Sequence, residues 1–518
     1  MSAKYGMLIS FVIVAMIALL VWHMEGSALV ASVLQAIHRA LTIALILLGA
    51  VTLLYTLQRT GAMERIKHGF HAISLDMRVQ AVLVGFIFIS LIEGASGFGT
   101  PAIVAAPLLM ALGFRPIVAA SLALLGDTVA VTFGAVGTPL IIGLENLPQY
   151  STDLVWQVGA QVTIFDLVIG VVVPMLLVTL LVVGFRRKGE RPQWRYVWEM
   201  APWVMLVSCT YTFSAFVAVR LFGAEFTAII GALVALIVAV ATARKGILLP
   251  KTIWRHHAAE DVVAKEELAH KKATMNIMKA WLPYGVVVVL LLLTRAVEPV
   301  KDFTTTVLNI SWTSILGYDT INSTWQLLYS PGMILLVAAS IAALVQRRSI
   351  MPMFGAMRQS VGVVTGALLA LVPTLMMVQI FSNSGNNTAE LASMPVFIGE
   401  SFAAVFGSIW VVAAPLLGAI GAFIAGSSTV SALTLAVVQD SVALSVGLPQ
   451  QIVLALHMIG AAAGNVVAIH NVVAAAAVVG LVHREGLIMR HVFSSVVVYL
   501  AVAALLGGVA FVAVTLVQ

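Results

Sequence analysis

Eleven apolar runs divide this chain, near Met7–Trp22, Leu41–Leu57, Ile117–Ile142, Trp156–Phe185, Trp198–Val219, Phe226–Ala243, Ala280–Thr294, Met333–Val345, Ser360–Phe381, Gln451–Val479 and His491–Val517. A helix crosses a hydrocarbon core with about 20 apolar residues. Lipid cannot satisfy backbone N–H and C=O groups, so segments that live in it must close their hydrogen bonds internally. The runs are helix-length rather than the alternating segments, about ten residues long, of an outer-membrane barrel. Only 10% of residues are charged and 61% are hydrophobic, against about 25% charged in a soluble domain. The net charge of +6 sits between the runs as a topology signal, which excludes a nucleic-acid partner. One cysteine, Cys209, lies inside an apolar run, so neither a disulfide framework nor a Cys-rich metal site is available, and no cofactor is expected. The first run follows Lys4 but lacks a small-x-small cleavage site before Glu25 and reads as a span rather than a signal peptide.

Two segments break the pattern. Leu91-Ile92-Glu93-Gly94-Ala95-Ser96-Gly97-Phe98-Gly99-Thr100-Pro101 lies between the apolar arms Val79–Ser90 and Ala102–Leu112, each about a dozen residues and too short to cross. The spacing predicts a re-entrant hairpin over 79–112 and a second over 407–446, with its tip at Ala425–Ser431. Charge supports this. With the N-terminus inside, the internal loops are Gln58–Arg78, Gly113–Pro116, Arg186–Arg195, Arg244–Lys279, Arg347–Arg358 and His483–Arg490. Apart from Lys4, every Lys and Arg except Arg39, Arg220, Arg295 and Lys301 falls in them. Glu25, Glu145, Asp153, Glu298, Asp302, Asp319, Glu390 and Glu400 fall outside. Counting either hairpin as a crossing would invert the later loops and destroy the positive-inside bias. The C-terminus is then external. Gly26–Ala40 reads as an external interfacial lead-in, and 244–279, with His256-His257, as a solvated internal connector.

The two ends of the chain echo each other. Gly113-Phe114-Arg115-Pro116 follows the first hairpin and Gly447-Leu448-Pro449 the second; Gly126 and Gly460 follow at the same offset, then Gly134–Pro139 and Ala468–Asn471. An odd number of crossings between the hairpins turns the second unit upside down. The expected fold is an all-α polytopic membrane protein, an inverted-repeat secondary transporter with two hairpins and two broken helices. It divides into a first repeat at 1–185 (broken helix 117–142, span 156–185), central spans at 186–330, and an inverted repeat at 331–518 (broken helix 451–479, span 491–517).

Gly126-Asp127-Thr128 through Thr138-Pro139, and Gly464-Asn465 through His470-Asn471, put glycines, polar groups and a proline inside otherwise apolar helices. Both are expected to unwind part-way. Short helix ends would then face two polar tips, and helix N-termini attract anions. The side chains on offer are hydroxyls and amides: Ser96, Thr100, Thr138, Ser427, Ser428, Thr429, Asn465 and Asn471. With no arginine cluster among them, they suit a small singly charged hydroxylated anion better than a phosphate. Glycine and hydroxyl residues also serve close packing alone. An intramembrane acid is a functional candidate by default, and Glu93 and Asp127 stand beside the motifs as proton carriers. His457 is the less suited of the two histidines on its helix. Asp166, Glu225 and Asp440 read as structural, Glu225 as the partner of Arg220. No His-Glu-x-x-His or Gly-x-Gly-Asp protease signature is present, so no enzyme is expected. A channel is a rival that these residues leave open.

At Glu93–Pro101 the sequence resembles the pattern E-G-A-(A/S)-G-F-G-T-P, and at Phe133–Pro139 the pattern F-G-A-(L/V/I)-G-(T/I)-P, of the L-lactate permease family; Ser382–Pro395, Gly426–Ser431 and Gly464–Ala475 extend the likeness. The resemblance implies proton-coupled uptake of L-lactate, glycolate and related 2-hydroxy monocarboxylates across a bacterial inner membrane. The partners are then the carboxylate, protons and the bilayer. Ser96, Gly97, Phe98, Gly99 and Thr100, with Ser427, Ser428 and Thr429, are expected to hold the carboxylate, and Asn465, His470 and Asn471 the 2-hydroxyl. A sodium-coupled carrier of another small organic anion, or an anion channel, is the alternative. Ser382–Thr388 is expected either to serve the gate or to cap a helix.

Overall fold

Residues that must satisfy their own backbone groups in lipid have done so: the computed structural model is nearly all helix. It describes residues 3–517 apart from 66–72, 98, 142, 145, 146, 148, 187, 188, 256–274, 395, 398–400, 402, 403 and 406. Among the described residues eight helices are long and apolar enough to cross a membrane, and β structure is limited to isolated bridges. The chain is a polytopic helical membrane protein. The connector pair His256-His257 lies outside the described residues.

One expectation fails early. Gly26–Ala40 is not a separate interfacial segment; it is the first part of a 35-residue helix, Gly26–Thr60. No proline interrupts it, so the intrahelical ladder runs on past the polar residues His38 and Arg39.

Both hairpins form. The first enters through Met77–Val82, a π turn at Leu83–Phe88 and Ile89–Ser96, turns at Gly97 and Gly99 and returns through Thr100–Ala111. Its entering arm is longer than expected, because Leu91–Ser96 are helical and only the glycine turn is irregular. Met77–Gly94 is by itself long and apolar enough to span, so arm length does not argue for re-entry here. The turn belongs to glycine: Gly97 has φ 58° and Gly99 φ 75°, values that Cβ sterics deny most other residues. The second hairpin pairs Trp410–Ala425 with Ser428–Ser445.

Each hairpin is followed by an interrupted helix. Pro116–Gly126 gives way to a turn at 127–130, then Val131–Phe133 and Gly134–Ile141. Gln450–Val467 and Ile469–Val478 are separated at Ala468, whose ψ of 129° leaves the helical region. Gly464 and Asn465 stay helical, so this break is shorter than the polar stretch suggests. The repeated glycines earn their place by contact. A Cβ on Gly126 would fall on the Gly85 carbonyl, and Cβ atoms on Gly460 and Gly464 on those of Pro415 and Ala419. Each interrupted helix thus lies backbone to backbone on the entering arm of its own hairpin, the small-residue packing that lipid-embedded helices favour.

Buried polar groups brace this arrangement. His457 is fully buried. Its Nδ1 accepts from Gln439 Nε2 (3.1 Å), while Gln439 Oε1 accepts from Trp410 Nε1 (2.7 Å). That orientation places the imidazole proton on Nε2, 3.4 Å from Ser431 Oγ, which donates to Gly418 O (3.0 Å). Both arms of the second hairpin are so tied to Gln450–Val467. At the base of the first hairpin Arg78, 0% exposed, pairs with Asp76 and donates to Tyr196 O (2.9 Å) and Thr252 O (3.0 Å). Arg78→Ala should lower stability by about 3–5 kcal/mol, the range for breaking a buried pair from one side, as read by equilibrium unfolding in detergent.

One further residue departs from expectation. Arg220 donates to Thr163 Oγ1 (3.2 Å) and Phe216 O (2.8 Å) and lies over the Phe216 ring; it does not pair with Glu225. The loop from Ser382 closes a helix end. Ser384 Oγ donates to Phe381 O (2.7 Å), and Asn383 Nδ2 ties Met351–Ser382 to Ser32 and Gln35 (3.0 and 2.7 Å).

Candidate functional site

The turns of the two hairpins and the two helix breaks meet around one cavity. Glu93, Gly97, Val131, Gly134, Ala135, Pro139, Gly426, Ser427, Ser428, Thr429 and Asn465 line it. Its ≈ 20 Å³ is room for one water and too little for a small carboxylic acid. Gly97 packs on Ala135, where an added Cβ would come within 2.8 Å of the alanine methyl, and Gly134 packs on the Glu93 carboxyl. The first tip therefore rests on its own broken helix, and the second tip closes the opposite wall.

Helix starts supply the electrostatics. Gly134–Ile141 and Ser428–Ser445 begin at the cavity wall, and Thr100–Ala111 and Ile469–Val478 begin beside it. Four N-termini add unpaired N–H donors and partial positive charge, which favour an anion. Ser427 caps one of them, accepting from Val430 N (3.4 Å). Its neighbour Ser428 keeps a buried Oγ with no hydrogen-bond partner, a donor left for something that enters. Glu93 keeps Oε2 buried and unpartnered, and Asp127 keeps Oδ1 likewise. The two acids lie within electrostatic reach of each other.

Of the residues singled out by sequence, Glu93, Gly97, Ser427, Ser428, Thr429 and Asn465 line the cavity. Gly99, Asp127, Thr138, His470 and Asn471 surround it without lining it. Thr138 Oγ1 is spent on Ala135 O, and the Asn471 amide donates to Asn465 O (2.9 Å) and Oδ1 (2.8 Å). Ser96 and Thr100 hold their backbone places at either side of the tip, and Phe98 lies outside the described residues. Val131 and Ala135 were missed because an apolar side chain carries no local signal of lining a site. Asp166, set aside for want of polar neighbours in sequence, finds them in space: it is buried and acts on Tyr211 and Tyr499, themselves buried. Tyr211 also lies within electrostatic reach of Glu93 and Asp127. The signal was available, since any acid in a membrane helix is a candidate. Among the described residues no group of three His, Cys, Asp or Glu side chains could hold a metal.

Comparison with known proteins agrees with the motifs. A relative from Haemophilus influenzae is 29% identical over 502 residues, covering 92% of this chain and 88% of its own. An L-lactate permease of Bacillus subtilis is 26% identical over 514 residues (92% and 86%), and a glycolate permease of Escherichia coli 23% over 502 (90% and 83%). No solved structure matches the chain. The family model described as L-lactate permease matches residues 1–517; the chain belongs to the L-lactate permease family.

Proposed function

We propose that this protein is a secondary carrier that takes up L-lactate, glycolate and related 2-hydroxy monocarboxylates with protons across a bacterial inner membrane, its N-terminus cytoplasmic and its C-terminus external. The observation that carries the reading is the unpartnered Ser428 hydroxyl at a helix N-terminus and the unpartnered Oε2 of Glu93, on two residues that line one cavity. In this reading the substrate carboxylate takes the N–H groups that start Ser428–Ser445 and Gly134–Ile141, with Ser427, Ser428 and Thr429 hydroxyls around it. Asn465 meets the 2-hydroxyl. A charge without a partner at this depth is costly, so a proton held at Glu93 or Asp127 offsets the substrate's charge and the two cross together. The hairpins, one in each of two oppositely oriented units, serve as the inner and outer gates.

The test is uptake of radiolabelled L-lactate, glycolate and a dicarboxylate into proteoliposomes. A pH jump should drive accumulation of the first two and not the third. Accumulation that follows a sodium gradient at fixed pH instead would replace the proton by sodium, and flux that never exceeds equilibrium would make the protein a channel. Ser428→Asp should raise the half-saturating lactate concentration at least about tenfold, equivalent to about 1.4 kcal/mol, because juxtaposed like charges cost more than that. An unchanged value in folded protein would place the carboxylate elsewhere.

A further inference from the structure

The short helix that follows the Ala468 break begins with two residues whose neighbours differ. The His470 ring lies on Gly426, at the turn of the second hairpin, where an added Cβ would overlap it. Asn471 Oδ1 lies over Gly99, at the turn of the first hairpin, where an added Cβ would come within 2.5 Å. Consecutive residues of an α-helix point about 100° apart around its axis, which is how one dipeptide reaches both tips. The Asn471 amide also holds Asn465 across the break (2.8 and 2.9 Å), and Asn465 lines the cavity.

We propose that His470-Asn471 is a positioning pair that couples the two hairpin tips, so that one cannot open while the other is open. This rests on the carrier reading above and adds the device that makes it alternate. When the second tip moves away to admit solute, Gly426 leaves the His470 ring, and Ile469–Val478 is free to settle against Gly99 through Asn471 and hold the first tip shut. When the first tip moves, Gly99 releases Asn471, and the same half-helix seats His470 against Gly426. Solute in the cavity meets Asn465, whose bond to Asn471 passes its presence to the first tip, while Gly426 in the cavity wall passes it to the second. Both signals end on one rigid half-helix, so the two gates answer to a single displacement.

The experiment uses the full chain in proteoliposomes and reads two quantities: the internal-to-external ratio of labelled L-lactate under an imposed pH gradient, and the rate of lactate exchange at equal concentrations. His470→Ala and Asn471→Ala should each lower the accumulation ratio at least about tenfold, within the range of site-to-site couplings, because leaking gates dissipate the gradient. Exchange, which needs binding and crossing but no exclusion of double opening, should fall less than about threefold in each. The double variant should be no worse than the worse single one, as for residues of one device. A preserved ratio in both single variants overturns the proposal, and so does a proportional loss of ratio and exchange in both, which marks a merely structural role. A wild type that neither exchanges nor accumulates lactate overturns the carrier reading instead, before any variant is compared.

Discussion

Gly426→Ala should yield a folded protein that neither exchanges nor accumulates lactate, with exchange down at least about a hundredfold, equivalent to about 2.8 kcal/mol. Two effects add. Gly426 has φ 67°, and a left-handed non-glycine residue costs about 1–2 kcal/mol. The added methyl would also overlap the His470 ring, a clash that deleting the ring does not create, so the second tip is pushed off the half-helix and cannot close. Gly447→Ala separates the two. Gly447 has φ 69° but nothing within 4 Å of an added Cβ, so it carries the backbone strain without the overlap. Exchange by that variant should stay within about threefold of wild type, with stability lowered by about 1–2 kcal/mol. Comparable losses in both would mean that strain at a hairpin end, rather than the overlap with the His470 ring, stops transport. Lactate exchange into proteoliposomes, alongside unfolding curves in detergent, decides it.

Glu93→Gln should bring pH-driven accumulation down to a ratio of about one, the value for a solute that has lost its coupled ion. Glutamine keeps the shape of the carboxyl, which matters because Gly134 packs directly on it. What it loses is the ability to take up and release a proton beside the cavity. Exchange should slow yet persist, because exchange at equal concentrations needs no net proton movement. Asp127→Asn tests the second acid, which sits at the break with its own unpartnered oxygen. Should both variants still concentrate lactate under a pH gradient alone, neither acid carries the proton, and Asp166, buried among Tyr211 and Tyr499, becomes the group to examine.

Much of this protein was legible before any coordinates. Apolar runs and the uneven placement of Lys and Arg gave the helical membrane class, since lipid imposes both through backbone satisfaction and charge. The turn at Gly97 and Gly99, the second turn at Gly426 and the break after Gly126 were readable because glycine admits backbone dihedrals that other residues avoid, whereas Pro139 lies inside Gly134–Ile141 and not at the break. Gly126 and Gly460 were visible as an echo, although the reason for them was not: each faces a carbonyl of a helix dozens of residues away in the chain.

What required the tertiary structure was partner choice. Periodicity says that Arg220, Thr138 and Asn471 are polar groups in apolar helices, but not that Thr163, Ala135 and Asn465 take up their donors. Nor does it separate Ser427, whose oxygen caps a helix, from Ser428 next to it, whose oxygen is left over. Helix ends mark themselves through local sterics, so composition and spacing marked out the apolar helices and the glycine turns between them. Which ends meet, and which buried oxygen lacks a partner when they do, depends on contacts between distant segments, and only the packed molecule decides those.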